Sequence, residues 1–398
     1  MASRNRVIYQ SEGLFVSENA SSTGITKHEQ LNRVQSANYS FTINRQDINQ
    51  FGDLARIDSL VLDPPTVSLD FSYYLADGFN ERAMGFFVTN SGNNRGTVIS
   101  PGTVNCPVGN FASGHLTANS GINFYIATSP DGDDLNQSIT GQQLDGSDTV
   151  IGVGNCYVSD YTVDFSVGAI PTVSVTVEGS NMNSAVPTKK GTYGGYEIPS
   201  PAVDQEAGTK IYGGASTVQL PNPTTDGGIT GIPSGTATAI TALRPGDVTL
   251  NLDNVSGESL IKLGTDEGAH IQSASISLPL SRSPIDRLGS RFPFAREVDF
   301  PVNATLNVSA IVNDAATQNL ADILDSGVQN VSLQVKDKNA ETAIKYDIKG
   351  VKIDSQSFSS SIGANKSVDL TFSAQIGGPN DDVNGVFMSG VGFNQVFV

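Results

Sequence analysis

The chain has 398 residues, with 40 acidic against 23 basic side chains, a net charge of −17 and a pI near 4.4. That balance argues against nucleic acid as an attractive partner, which calls for clustered Lys and Arg, and no basic run occurs. Charged residues are scarce and Trp is absent, while Gly, Ser, Thr, Asn and Val abound, a profile suited to an all-β protein with many turns.

Residues 1–6 lack an apolar h-region, so no signal peptide is expected, and no window is long enough to span a membrane. Residues 7–17 read as an opening strand or hairpin and 19–30 as a polar loop. Residues 34–45 alternate strictly. Tyr39, Phe41 and Ile43 fall on one face, and Asn38, Ser40, Thr42 and Asn44 on the other, the mark of a half-buried strand. A long loop from Gln46 to Pro65 carries Phe51, Leu60 and Val61, apolar residues that a solvent-only loop would not need. A strand at 66–75 follows, then a helix-compatible run at 79–84. Residues 89–149, rich in Gly, Asn and Ser, read as an insertion holding one strand at 122–126. A Gly168-Ala169 turn leads into a valine-rich strand at 172–177. Residues 180–246, rich in Gly, Pro, Ser and Thr, read as a connector, with 217–220 as a short edge strand.

The second half restates the first. Residues 271–282 match 34–45 at Gln, Ser, Ala, Ser and Arg in one register. Ile276, Leu278 and Leu280 take the places of Tyr39, Phe41 and Ile43, and Ser275, Ser277 and Ser281 lie on the polar face. The match continues through Ile48/Ile285, Gly52/Gly289 and Ala55-Arg56/Ala295-Arg296. Residues 303–310 then echo 66–73, and 361–372 echo 166–177. A strand at 247–252, a helix at 314–324 and a strand at 331–335 fill the corresponding places, and an apolar tail ends the chain. Three matched blocks in one order imply an internal duplication. The expected fold is mainly β: two tandem homologous β-sandwich or barrel domains, 1–179 and 247–398, each with one short helix and a long inter-strand loop.

Little in the chain points to catalysis. His28, His115 and His270 show no ligand spacing. Residues 131–136 imitate part of a calcium loop but lack the Gly at the sixth position and the Glu at the twelfth. No phosphate-binding loop, nucleophile elbow or dinucleotide fingerprint occurs. The reading is therefore a non-enzyme with no metal and no cofactor. Cys106 and Cys156, both in the first half, read as reduced and incidental. Arginine is concentrated at Arg282, Arg287, Arg291 and Arg296, where the first copy has Arg45 and Arg56 among several Asp. Guanidinium forks match carboxylates. Two readings stay open: a solvated loop with local ion pairs, or a subunit contact made by Arg45, Phe51, Arg56, Arg287, Arg291 and Arg296.

The blocks 34–45 and 271–282, the loops closing at Pro65 and Pro301, and the hairpins at Gly168-Ala169 and Gly363-Ala364 together resemble the tail tube proteins of long-tailed bacteriophages. The resemblance implies strands that join those of neighbouring copies into a continuous inner barrel. It further implies rings, trimeric for fused domains, stacked into a hollow tube that conducts DNA, with the long loop reaching the adjacent ring. Partners would be further copies of the chain, other tail proteins at the tube ends, and DNA as non-sticking cargo. The place of work would be the virion tail after synthesis in the host cytoplasm. Asn38, Ser40, Thr42, Asn44, Ser275, Ser277 and Ser281, small and uncharged, would be candidates to face the lumen. The connector departs from the simplest one-domain form. The main rival is a capsid decoration, fibre or adhesin-like protein, and a carbohydrate-active β enzyme comes third.

Overall fold

A computed structural model describes residues 12–18, 28–76, 78–90, 110–116, 118, 121–129, 148–186, 188–189, 196–203, 217–219, 243, 248–251, 270–289, 292–312, 320–324, 328–336, 342–363, 365–378, 381 and 383–390. The first half runs β1 (Glu12–Glu18), β2 (His28–Gln30), β3 (Val34–Thr42), β4 (Arg45–Ile48), β5 (Asp58–Val61) and β6 (Thr66–Tyr74). It continues with α1 (Phe79–Ala83), β7 (Val88–Asn90), α2 (Ser113–Leu116), β8 (Ile122–Thr128), β9 (Thr149–Ser166) and β10 (Thr172–Gly179). The middle of the chain holds β11 (Asn181–Ala185), β12 (Thr188–Lys189), β13 (Tyr196–Pro199) and β14 (Thr217–Gln219). The second half runs β15 (Val248–Asn251), β16 (His270–Pro279), β17 (Arg282–Ile285), β18 (Ala295–Val298) and β19 (Asn303–Ile311). It ends with α3 (Leu320–Leu324), β20 (Gln329–Lys336), β21 (Thr342–Ser359), β22 (Ser367–Gln375) and β23 (Gly385–Gly390).

The protein is mainly β, and one antiparallel run of eight strands organises it, in the order β3-β6-β10-β9-β16-β19-β22-β21. Strands β9 and β21 are each 18 residues long, enough to serve two layers. Their later residues lie in this run. Their earlier ones pair with β8 and β11 in one case, and with β20 and β23 in the other. Strand β1 extends the layer beyond β8, and β15 extends it beyond β20. The apolar faces close on each other, as when Phe71 of β6 meets Phe124 of β8 at 5.7 Å between ring centroids.

The pairings of the two halves run in parallel. Both β6 and β19 show the same exposed–buried alternation, because every second residue is apolar. Each half has bulges at matched places: Gln35 in β3 and Gln272 in β16, then Ser159 in β9 and Asp354 in β21. Gly168 and Gly363, with φ of 83° and 88°, turn the hairpins β9–β10 and β21–β22, a conformation that glycine enters without steric cost.

The halves share one sheet and one apolar cluster. Several expectations need amending. The first half carries two short helices, α1 and α2, not one. The two long loops are hairpins, β4–β5 and β17–β18, because Gly52 and Gly289 take positive φ near their tips. Residues 28–30 pair with β1 instead of staying in a loop. The edge strand expected within the connector is present as β14, in a small sheet with β12 and β13, and Asn181 and Asn155 bond the carbonyls of Pro201 and Val203.

A buried polar knot ties the halves together. Glu81 accepts from Tyr73 at 2.7 Å and from Tyr161 at 3.1 Å, and Tyr161 bonds Tyr346 of the second half at 2.9 Å. Burial, then the neighbouring Glu81 and phenols, raises all three tyrosines well above their ordinary range, so they stay protonated donors.

Candidate functional site

The centre of the eight-stranded run is the seam between β9 and β16, where one half meets the other. Ser277 faces Thr162, Ile276 faces Val163 and Leu278 faces Tyr161. The seam ends on bulge carbonyls, with Leu280 N–H donating to Ser159 at 2.8 Å and Val167 N–H donating to Gln272 at 3.0 Å. Its apolar face is closed, with Ala274, Ile276, Leu278, Leu280, Tyr161 and Val163 all buried.

An arginine clamp locks this seam from the side. Arg282 donates to the carbonyls of His115, Ala118 (3.3 Å) and Arg296 (3.0 Å), with its guanidinium 4.5 Å from the centre of the Tyr157 ring. Arg296 reaches Glu178 of the first half at 3.2 Å. The β17–β18 hairpin is thus fastened to the first half of its own chain.

Among the described residues, the outer edges of the same run carry no further strand: β3 pairs only with β6, and the later part of β21 only with β22. On β3, Phe41 is 60% exposed, while Ala37 and Tyr39 are half-buried, and Ile43 just beyond its end is exposed. On β21, Phe358 is 43% exposed. Neither 34–44 nor 355–365 contains a charged residue or a proline. Stable monomers usually blunt such edges with Lys, Pro or a covering loop.

The opposite face of the sheet is hydrophilic. Asn38, Ser40, Thr42, Asn44 and Ser281 are exposed, and Ser275 and Ser277 are half-buried. Hydroxyls pair across strands, Ser36 with Ser72 at 2.6 Å and Ser40 with Ser68 at 2.9 Å. Asp70, Asp160, Asp164 and Asp369 lie in register with these residues, so the face is acidic as well as small. Burial raises the Asp160 carboxyl despite its bond from Thr162.

The remaining candidates spread along the two hairpins. Arg45 is exposed, Phe51 at the β4–β5 tip is fully exposed, and Arg56 pairs with Asp47 of its own hairpin at 2.9 Å. Arg287 stacks over Phe294 at 4.9 Å, and Arg296 is held by Glu178 as above. Arg291 lies outside the described residues, as do Cys106 and residues 131–136. Among the described residues no group of His, Cys, Asp or Glu is placed to hold a metal, and Cys156 is buried and free. Sequence reasoning overlooked Ser357 and Phe358, which line the β21 edge; their equivalence to Thr162 and Val163 of β9 was the available signal. No family model matches the chain, and no curated protein matches it either.

Proposed function

We propose that the chain is a self-assembling structural protein whose sheet continues from one copy into the next. Within that class it serves as a tail tube protein of a long-tailed bacteriophage. Three chains close a ring, and stacked rings form a hollow tube in the virion tail that conducts DNA. On this reading the two halves are copies of one ancestral unit, which the matched bulges and the common order of pairing support.

The observation that carries the reading is the β9–β16 seam. The last strand of one half's part of the run meets the first strand of the other's there, and among the described residues one strand of each kind is left unused at the ends of the run. A heterologous contact that repeats by rotation closes a ring. With eight strands from each chain, three chains make a barrel of twenty-four. At ~4.8 Å between strands and a tilt of ~40°, its backbones stand about 48 Å apart across the axis. That leaves an aqueous lumen wide enough for duplex DNA. The face, rich in hydroxyls and carboxylates with Lys352 opposite Ser373 toward one edge, would when turned inward offer a polyanion little basic anchorage. The hairpin tips, with Phe51 and Leu54 fully exposed, are suited to reach the adjacent ring.

Electron microscopy of the purified chain at high concentration tests this. Hollow tubes with threefold rings of three chains are the expected result. A persistent monomer, or rings of six chains, would overturn it.

A further inference from the structure

The internal seam specifies the external one residue by residue. We infer that a second copy of this chain adds its β21 antiparallel to the free edge of β3, in the register that joins β9 to β16. The inference rests on the ring reading above and goes further by fixing which atoms meet.

Four bulges set the alignment without appeal to side-chain similarity. Gln35 and Gln272 are the extra residues of β3 and β16 against β6 and β19. Ser159 and Asp354 are those of β9 and β21 against β10 and β22. Superposing bulge on bulge carries Ser277 onto Ser40 and Thr162 onto Ser357. Because Ser277 faces Thr162, Ser40 faces the partner's Ser357. By the same step Tyr39 faces the partner's Phe358 and Phe41 the partner's Gln356. The terminal bonds transfer too. Leu280 N–H to Ser159 becomes Ile43 N–H to the carbonyl of the partner's Asp354. Val167 N–H to Gln272 becomes the N–H of the partner's Ile362 to Gln35.

The exposed surface fits this occupant. Phe41 at 60% and Phe358 at 43% stand where the internal seam has the fully buried Leu278 and Val163. Pairing would cover both, and the Tyr39–Phe358 contact is an aromatic cross-strand pair, a favourable kind. Residues 34–44 and 355–365 carry no charge of their own, and the Lys366 ammonium, 5.0 Å from the centre of the Phe358 ring, would swing aside on pairing.

Cysteine cross-linking reads the register directly. In an antiparallel pair the non-hydrogen-bonded positions bring Cα atoms to about 4.5 Å, within disulfide reach. The terminal bonds of the internal seam fall on Leu280 and Gln272, so Ser277 and, by transfer, Ser40 take non-hydrogen-bonded places. The full chain carrying C106S and C156A receives either S40C with S357C, or the shifted pairs S40C with S355C and S40C with S359C. T162C with S277C is the internal control, closing within one chain. Under mild oxidation the first pair should link chains into a ladder ending at three, at least tenfold faster than either shifted pair. A shifted pair linking as fast overturns the register while leaving ring formation intact. Rings visible by microscopy without any linkage, the internal control having closed, overturn the β3–β21 contact alone. Neither rings nor linkage overturns both readings.

Discussion

Phe41 and Leu278 hold the same place in β3 and β16, yet Phe41 is 60% exposed and Leu278 is 1% exposed. Each strand has one paired neighbour on its inner side, β6 or β19. Among the described residues only β16 has a second, β9. The two substitutions should therefore part company. Leu278→Ala should destabilise the protomer by ~2–5 kcal/mol through the cavity it leaves. Phe41→Lys should leave the denaturation midpoint of the protomer nearly unchanged and abolish assembly by sedimentation. Equal loss of stability in both would show that β3 is covered within the chain.

Arg282 should matter more than its half-buried position suggests. It satisfies three carbonyls, those of His115, Ala118 and Arg296, and lies over Tyr157. Arg282→Ala should cost about 3 kcal/mol, because part-buried acceptors are left unpaired. Arg282→Lys should recover little, since one ammonium cannot reproduce the planar fork. Hydrogen exchange across 282–298 should rise in both variants; a protected hairpin would mean the clamp is incidental.

His115 makes stability depend on acid. Burial, reinforced by the nearby Arg282 charge, pulls its pKa from 6.5 down to about 3. A depressed folded-state pKa favours the neutral imidazole inside. Its contribution is thus fully present above pH 6.5 and is lost as pH falls toward 3. The loss over that window is on the order of 4 kcal/mol. His115→Gln, neutral throughout, should lower stability at pH 7 but flatten this part of the profile. Parallel profiles for the two proteins in denaturant titrations from pH 7 to 3 would refute the assignment.

The two halves should unfold together. Tyr346 of the second half bonds Tyr161 of the first, which bonds Glu81, and one apolar cluster spans both. Tyr346→Phe should cost ~1 kcal/mol and leave a single calorimetric transition. Two resolved transitions in the parent chain would show that the halves are energetically separate.

The hairpin tips should govern stacking alone. Phe51 and Leu54 are fully exposed, so changing both to Ser should alter protomer stability by no more than ~0.5 kcal/mol. Rings should still form and tubes should not. Tubes of ordinary length would leave the tips without a role in stacking.

The sequence by itself determined the local alternation. Residues 34–44 and 271–281 read as strands because side chains two apart share a face, and strands run over Val34–Thr42 and His270–Pro279. It also carried the hairpin turns at Gly168 and Gly363 and the lack of charge along 34–44 and 355–365. What it left open was everything set by pairing between distant segments. The same pattern gave a sealed face in β16 and an open one in β3, because burial depends on whether a further strand lies alongside. Arg296 carried no sign that its acidic partner would be Glu178, 118 residues away and in the same chain. Nor could the insertion be foreseen to send β7 alongside β23. Periodicity is a property of neighbours in the chain. The identity of the strand that covers an edge is a property of the assembled sheet, and only the tertiary structure decided it.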